Sequence, residues 1–147
     1  MDNEKLTEEL FETLDSINVE TIFDKMKFSL KGENMLLAIL TTLGGQSTLS
    51  KITEISAFTP ARLSAVIKSL EAKGFVERVH NEDDRRTTTV FLTSEGAMQY
   101  LSYRQEAIRN AFVIVEQLGE EDVCEFIRII RKIAEITNNA YENSSAE

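Results

Sequence analysis

Apolar positions along this chain fall mostly at helical spacing. Leu6, Leu10, Leu14 and Ile17, widened by Phe11, predict an amphipathic first helix. A second set, Ile22, Phe23, Met26 and Phe28, leads to Lys31-Gly32. Met35, Leu36, Ile39, Leu40 and Leu43 then predict a strong helix that the pair Gly44-Gly45 ends. From Ser47 the elements shorten. Residues 48–55 present Leu49, Ile52 and Ile55. Thr59-Pro60 supplies an N-cap and then a proline at the first helical position, where its missing N–H is no loss. Leu63, Val66, Ile67 and Leu70 follow at i, i+3, i+4 and i+7, forming the inward stripe of a helix that Gly74 stops. Its opposite face carries Ala61, Arg62, Ala65, Lys68 and Ser69.

The period changes after Gly74. Residues 75–80 and 87–92 are rich in β-branched and aromatic side chains and flank the polar tract Asn81-Glu82-Asp83-Asp84-Arg85-Arg86, which predicts a two-stranded hairpin with a charged tip. Thr93 caps the next helix, which carries Ala97, Leu101, Ile108, Phe112 and Val115 as far as Leu118-Gly119. A last helix opens on Glu120, Glu121 and Asp122 and bears Arg128, Arg131 and Lys132 further along, the order the helix dipole favours. Val123, Phe126, Ile127, Ile129, Ile130, Ile133 and Ile136 give it an apolar surface too broad for one neighbour.

The expected fold is therefore mainly α with a small β-hairpin wing. Helix, short turn, second helix and hairpin, in that order, make a winged helix-turn-helix, placed at residues 47–96. It is preceded by an N-terminal helix and first core helix (1–46) and followed by C-terminal helices (97–147).

Composition narrows the function. A chain of 147 residues is about one domain. The single cysteine, Cys124, allows no internal disulfide, and one Cys with one His cannot complete a structural zinc site, so no metal or other cofactor is expected. Between Val123 and Phe126, Cys124 reads as a buried small hydrophobe rather than a redox sensor. No apolar run reaches a membrane span, and the acidic start MDNEKLTEEL lacks the regions of a signal peptide, which points to a cytoplasmic protein without membrane contact. His80, at a strand end, has no partners for general-base work. No Ser-His-Asp or paired-carboxylate arrangement is present, so an enzyme is not expected.

The candidate chemistry is nucleic-acid recognition. One helix of such a unit fits the major groove while the hairpin tip lies over the adjacent backbone or minor groove. Thr59 opens the helix. Ala61 and Ala65 are small enough for close approach, Arg62 can fork onto a guanine edge, and Ser64, Lys68 and Ser69 reach phosphates or bases. Arg85 and Arg86 extend the basic side at the hairpin tip. A net charge of −9 opposes general polyanion binding. Its distribution resolves the conflict, with 4 basic and 9 acidic groups in residues 1–47, 7 and 7 in 48–96, and 5 and 9 in 97–147.

The run Asp84-Arg85-Arg86 followed by Leu92-Thr93-Ser94-Glu95-Gly96, with Leu70-Glu71-Ala72-Lys73-Gly74 upstream, resembles the MarR family of bacterial transcriptional regulators. That family combines a D-x-R wing, L-T-x-x-G after a short strand, and a recognition helix ending L-E-x-K-G. The resemblance implies a two-fold homodimer, built from the first helix and the last two, that reads a pseudo-palindromic operator in double-stranded DNA, with repression the expected sense of regulation. It also implies that Arg86 enters the minor groove and that Asp84 orients the wing through a salt bridge. A small-molecule effector would bind between the dimerisation helices and the winged segment, with Phe23, Met26, Phe28, Met35, Met98, Tyr100 and Tyr103 as candidate lining. A rival reading keeps the fold but makes the chain a protein-interaction module whose acidic surface binds a basic partner.

Overall fold

The computed structural model describes residues 2–26, 32–80 and 87–144. The hairpin tip, with Asp84, Arg85 and Arg86, lies outside the described residues, as does Phe28. Contacts group the chain into two units, residues 1–107 and 108–147.

In the first unit, α1 (Asn3–Ile17) ends on Asn18, whose φ of 46° is in the left-handed region that asparagine tolerates. The same residue caps α2 (Val19–Lys25), its side chain accepting from Thr21 N at 3.2 Å. Helix α3 (Gly32–Thr42) closes at Gly44 and Gly45, both at positive φ, with Gly45 N bonded to Leu40 O at 2.8 Å.

Then comes β1 (Gln46–Thr48), which the hydrophobic pattern does not show. It pairs antiparallel with β3 (Thr88–Leu92), Ser47 opposite Val90, while β2 (Val76–His80) pairs on the other side of β3, Arg78 opposite Val90. The expected two-stranded hairpin is thus a three-stranded sheet in the order β1-β3-β2. Three polar residues have no hydrophobic periodicity of their own; what makes them a strand is the hydrogen-bonding edge that β3 offers.

Helices α4 (Leu49–Ile55) and α5 (Pro60–Ala72) form the helix-turn-helix pair. Thr48 and Thr59 cap them, accepting from Lys51 N at 3.2 Å and Arg62 N at 3.3 Å. One core joins these elements: Leu36, Leu37 and Leu40 of α3, Ile52 of α4, Phe58 of the turn between α4 and α5, Leu63, Ile67 and Leu70 of α5, Val76 of β2 and Val90 of β3. Fully burying a side chain of this kind contributes about 1.5–3 kcal/mol, so the cluster is the main source of this unit's stability.

Helix α6 (Ser94–Ser144) runs on from β3 and is interrupted at Gly119, where φ is 81° and ψ 168°, at the expected Leu118-Gly119 break. In the second unit, residues 124–139 are all exposed. Cys124 is among them, against the expectation of burial. The apolar residues beside it in sequence do not fold over it, because successive helical positions point about 100° apart.

A single glycine joins wing to α6. A Cβ at buried Gly96 would lie 2.1 Å from the Phe75 carbonyl oxygen and 2.9 Å from Leu92 Cδ1. The nearest obstacle is backbone and cannot rotate away. Gly96→Ala should therefore cost about 3 kcal/mol by overpacking. Thermal denaturation reads the loss, and an unchanged midpoint would show that the junction is looser than described.

Candidate nucleic-acid interface

The capped start of α5 aims a row of side chains outward. Thr59, Ala61, Arg62, Ser64, Ala65 and Lys68 are all exposed, opposite the buried stripe of Leu63, Ile67 and Leu70. Small residues at 61 and 65 leave the backbone approachable, and the N-terminal end presents the positive end of the helix dipole. Arg62 does not wave freely, since its guanidinium carbon lies 6.0 Å from the centroid of the Phe58 ring. A cation over an aromatic face is held in a preferred direction. Phe58 itself is 5% exposed, so the platform is anchored in the core. The hydrophobic pattern alone does not reveal that platform.

Ser69 departs from the rest of the row. It is half-buried, and its hydroxyl donates to Glu33 Oε1 at 2.6 Å. Glu33 Oε2 accepts from Lys73 Nζ, also at 2.6 Å. One carboxylate thus ties the end of α5 to the first turn of α3, where the dipole also favours an acid. Partial burial pushes the Glu33 carboxyl up, but the hydrogen bonds from Lys73 and Ser69 and the lysine charge outweigh it and hold the group below the usual range. Glu71 of α5 pairs likewise with Arg78 of β2 at 2.5 Å. The hydrogen bond from Arg78 lowers Glu71, and the same bond raises the arginine. Two basic groups of the winged segment are therefore engaged by acids of the same unit. No short-range pattern marks Glu33, whose partners lie 36 and 40 residues away.

The wing base is set by Thr93. Its hydroxyl donates to Gly74 O at 2.7 Å and accepts from Gly96 N at 3.0 Å, while its amide donates to Phe75 O at 3.1 Å. His80 Nδ1 lies 3.0 Å from Thr88 Oγ1 across the two strands that lead to the tip. Among the described residues, no group of three or more His, Cys, Asp or Glu side chains is placed to hold a metal ion, and no helix is long and apolar enough to cross a membrane.

A separate cleft of about 630 Å³ opens between α3 and the start of α6, reached also by Ile55 at the end of α4. Met35 and Ile39 make its apolar wall; Asn34, Tyr100, Tyr103 and Arg104 supply polar groups. The two tyrosine rings are 6.5 Å apart and tilted. Of the residues expected to line a pocket, Met35, Tyr100 and Tyr103 do. Met98 is 62% exposed and, like Met26, is not part of the lining.

The model described as the MarR family matches residues 32–88. An uncharacterized HTH-type transcriptional regulator of Bacillus subtilis (strain 168), YwhA, is 33% identical over 94 residues, 62% of this chain and 66% of that protein, so the match falls just short of two thirds of the relative's length. The crystal structure of MarR superposes with a TM-score of 0.76 at 16% identity, covering 90% of this chain and 93% of that one. The organohalide-sensing regulator RdhR-CbdbA1625, solved with 2,4-dichlorophenol bound, gives 0.65 at 18% identity over 93% and 82% of the two chains. At these identities the superpositions speak for the fold.

The Glu33 contacts predict a pH dependence. A carboxyl held below its unfolded value near 4.3 stabilises the fold above that pH, and the contribution is lost as pH falls through the lowered folded value. Glu33→Gln should therefore lower the melting midpoint above about pH 5, the gap closing towards pH 3. A gap that stays constant over that range would mean that the ion pair contributes nothing.

Proposed function

We propose that this chain, whose residues 32–88 match the MarR family model, is a cytoplasmic, homodimeric transcriptional regulator of that family, acting as a repressor, that reads a pseudo-palindromic operator in double-stranded DNA. The family is one of regulators rather than enzymes. The observation that carries the proposal is the exposed row on α5, small at Ala61 and Ala65 and cationic at Arg62 and Lys68, on a helix capped by Thr59 and rooted in the core. Thr59, Ser64 and Lys68 serve phosphates, Arg62 a base edge, and Ser69 acts by holding the helix. Arg85 and Arg86 at the wing tip, with Asp84 orienting them, contact the adjacent minor groove and backbone.

Dimerisation is supported by apolar surface that each unit exposes. In α1, Leu6, Leu10, Phe11, Leu14 and Ile17 are between 42 and 60% exposed. In the second unit Phe112, Phe126, Ile130 and Ile133 are each at least half exposed. A monomer rarely leaves such faces in water, and a two-fold partner covers them while placing two α5 helices about one DNA turn apart. Ile130→Glu should yield a monomer by light scattering and lose operator binding; a dimer that persists would remove the second unit from the interface.

The cleft beside Tyr100, Tyr103 and Arg104 suits a small aromatic effector with a polar or anionic group, whose binding would favour a dimer with mismatched helix spacing. The relative bound to 2,4-dichlorophenol supports that reading.

Selection of bound fragments from random duplexes, followed by affinity against salt, tests the proposal. A palindromic consensus is expected, with a log–log slope near −0.9 per phosphate neutralised. No sequence enrichment and no slope would favour the acidic protein-interaction reading. Arg62→Ala should cost about 1–3 kcal/mol and relax preference at one base pair per half-site. Arg86→Ala should weaken binding and lower the slope, and an unaltered affinity would remove the wing from the interface.

A further inference from the structure

We propose that Glu33 is a positioning residue that sets the rotation of α5 about its own axis and through it the base preference of the exposed row. The inference rests on the reading of α5 as the DNA-contacting helix. The apolar stripe of Leu63, Ile67 and Leu70 holds α5 against the core but tolerates small rotations, because dispersion contacts are non-directional. The two bonds from Glu33 are directional and charge-assisted, one carboxylate oxygen on Ser69 and the other on Lys73.

Helical spacing puts these contacts where rotation matters. Ser69 and Lys73, four residues apart, share an edge of the helix, and Arg62, seven residues before Ser69, lies on that edge too. The edge is thus held at both ends, by the Phe58 ring under Arg62 and by Glu33 at Ser69 and Lys73. At a side-chain radius of about 6 Å, a 10° turn displaces a contacting atom by about 1 Å. That is enough to take a guanidinium out of bidentate register with a base edge. A glutamate carboxyl is ionised at neutral pH, so the tether is charged there.

Three variants separate positioning from its rivals. Glu33→Ala removes both bonds; Glu33→Gln keeps an acceptor for Ser69; Lys73→Met removes the charge partner alone. Each is compared with the wild-type chain for binding to the selected operator and to a duplex altered at the Arg62-dependent base pair, across a salt series. For Glu33→Ala the expected result is a tenfold or greater loss of discrimination with the salt slope unchanged, partly restored in Glu33→Gln. Unchanged discrimination, with a slope steeper by about 0.9 that disappears in Glu33→Ala combined with Lys73→Met, would mean that Glu33 merely neutralises Lys73. Equal losses on both duplexes would assign it a purely structural role, and either result overturns the proposal. Hydrogen exchange tests the tether without DNA. In Glu33→Ala the α5 amides should exchange at least tenfold faster while those of β2 keep their protection, and uniform protection would reject the tether. If the wild-type chain shows no sequence preference, the DNA reading fails, and the exchange result still decides whether Glu33 holds α5.

Discussion

The wing, α5 and α6 all meet at one hydroxyl. Thr93 Oγ1 donates to the carbonyl of Gly74, where α5 has stopped, and accepts from the amide of Gly96, where α6 has begun. Gly74 is at φ 73°, and Phe75 N closes the turn on Leu70 O at 2.9 Å. Gly96 then lets the first turn of α6 press on the Phe75 carbonyl. Those contacts fix where β2 leaves α5 and where β3 enters α6, so the direction of the wing follows from them. A lost side-chain hydrogen bond costs about 1 kcal/mol by itself. Its larger effect is geometric, because three elements take their direction from the same few atoms.

This gives the motif residues a different meaning from the one the sequence suggests. Leu70-Glu71-Ala72-Lys73-Gly74 and Leu92-Thr93-Ser94-Glu95-Gly96 carry the resemblance to a family of regulators, yet their contacts are internal. Leu70 is in the core, Glu71 and Lys73 are in ion pairs, and Thr93 and Gly96 make the junction. They preserve the platform, while the residues that would read a base, such as Arg62, are exposed and belong to neither motif. A motif can therefore identify the architecture while leaving the recognised sequence open.

Charge in the winged segment is economical. Its basic and acidic groups balance, and the structure engages Lys73 with Glu33 and Arg78 with Glu71. Exposed Arg62 and Lys68 stand on a chain whose net charge is −9. For the proposed DNA contact, a few placed cations on an acidic chain would favour discrimination over non-specific affinity, because phosphate contacts add binding without sequence information.

Much of the fold is legible in the order of residues, because caps, stops and periods act within a few positions. Thr59-Pro60 starts α5, Gly74 ends it, Gly44-Gly45 ends α3 and Gly119 breaks α6, each where local backbone chemistry requires. The exposed row on α5 follows from the same 3.6-residue period that buries Leu63, Ile67 and Leu70. Other features came only from tertiary structure. β1 is a strand because β3 gives it an edge, and Ser69 turns from the exposed row to Glu33. Cys124 lies exposed although its neighbours in sequence are apolar. Each of these depends on what a residue meets across space, and a pattern that repeats every few residues carries no information about a partner 36 positions away.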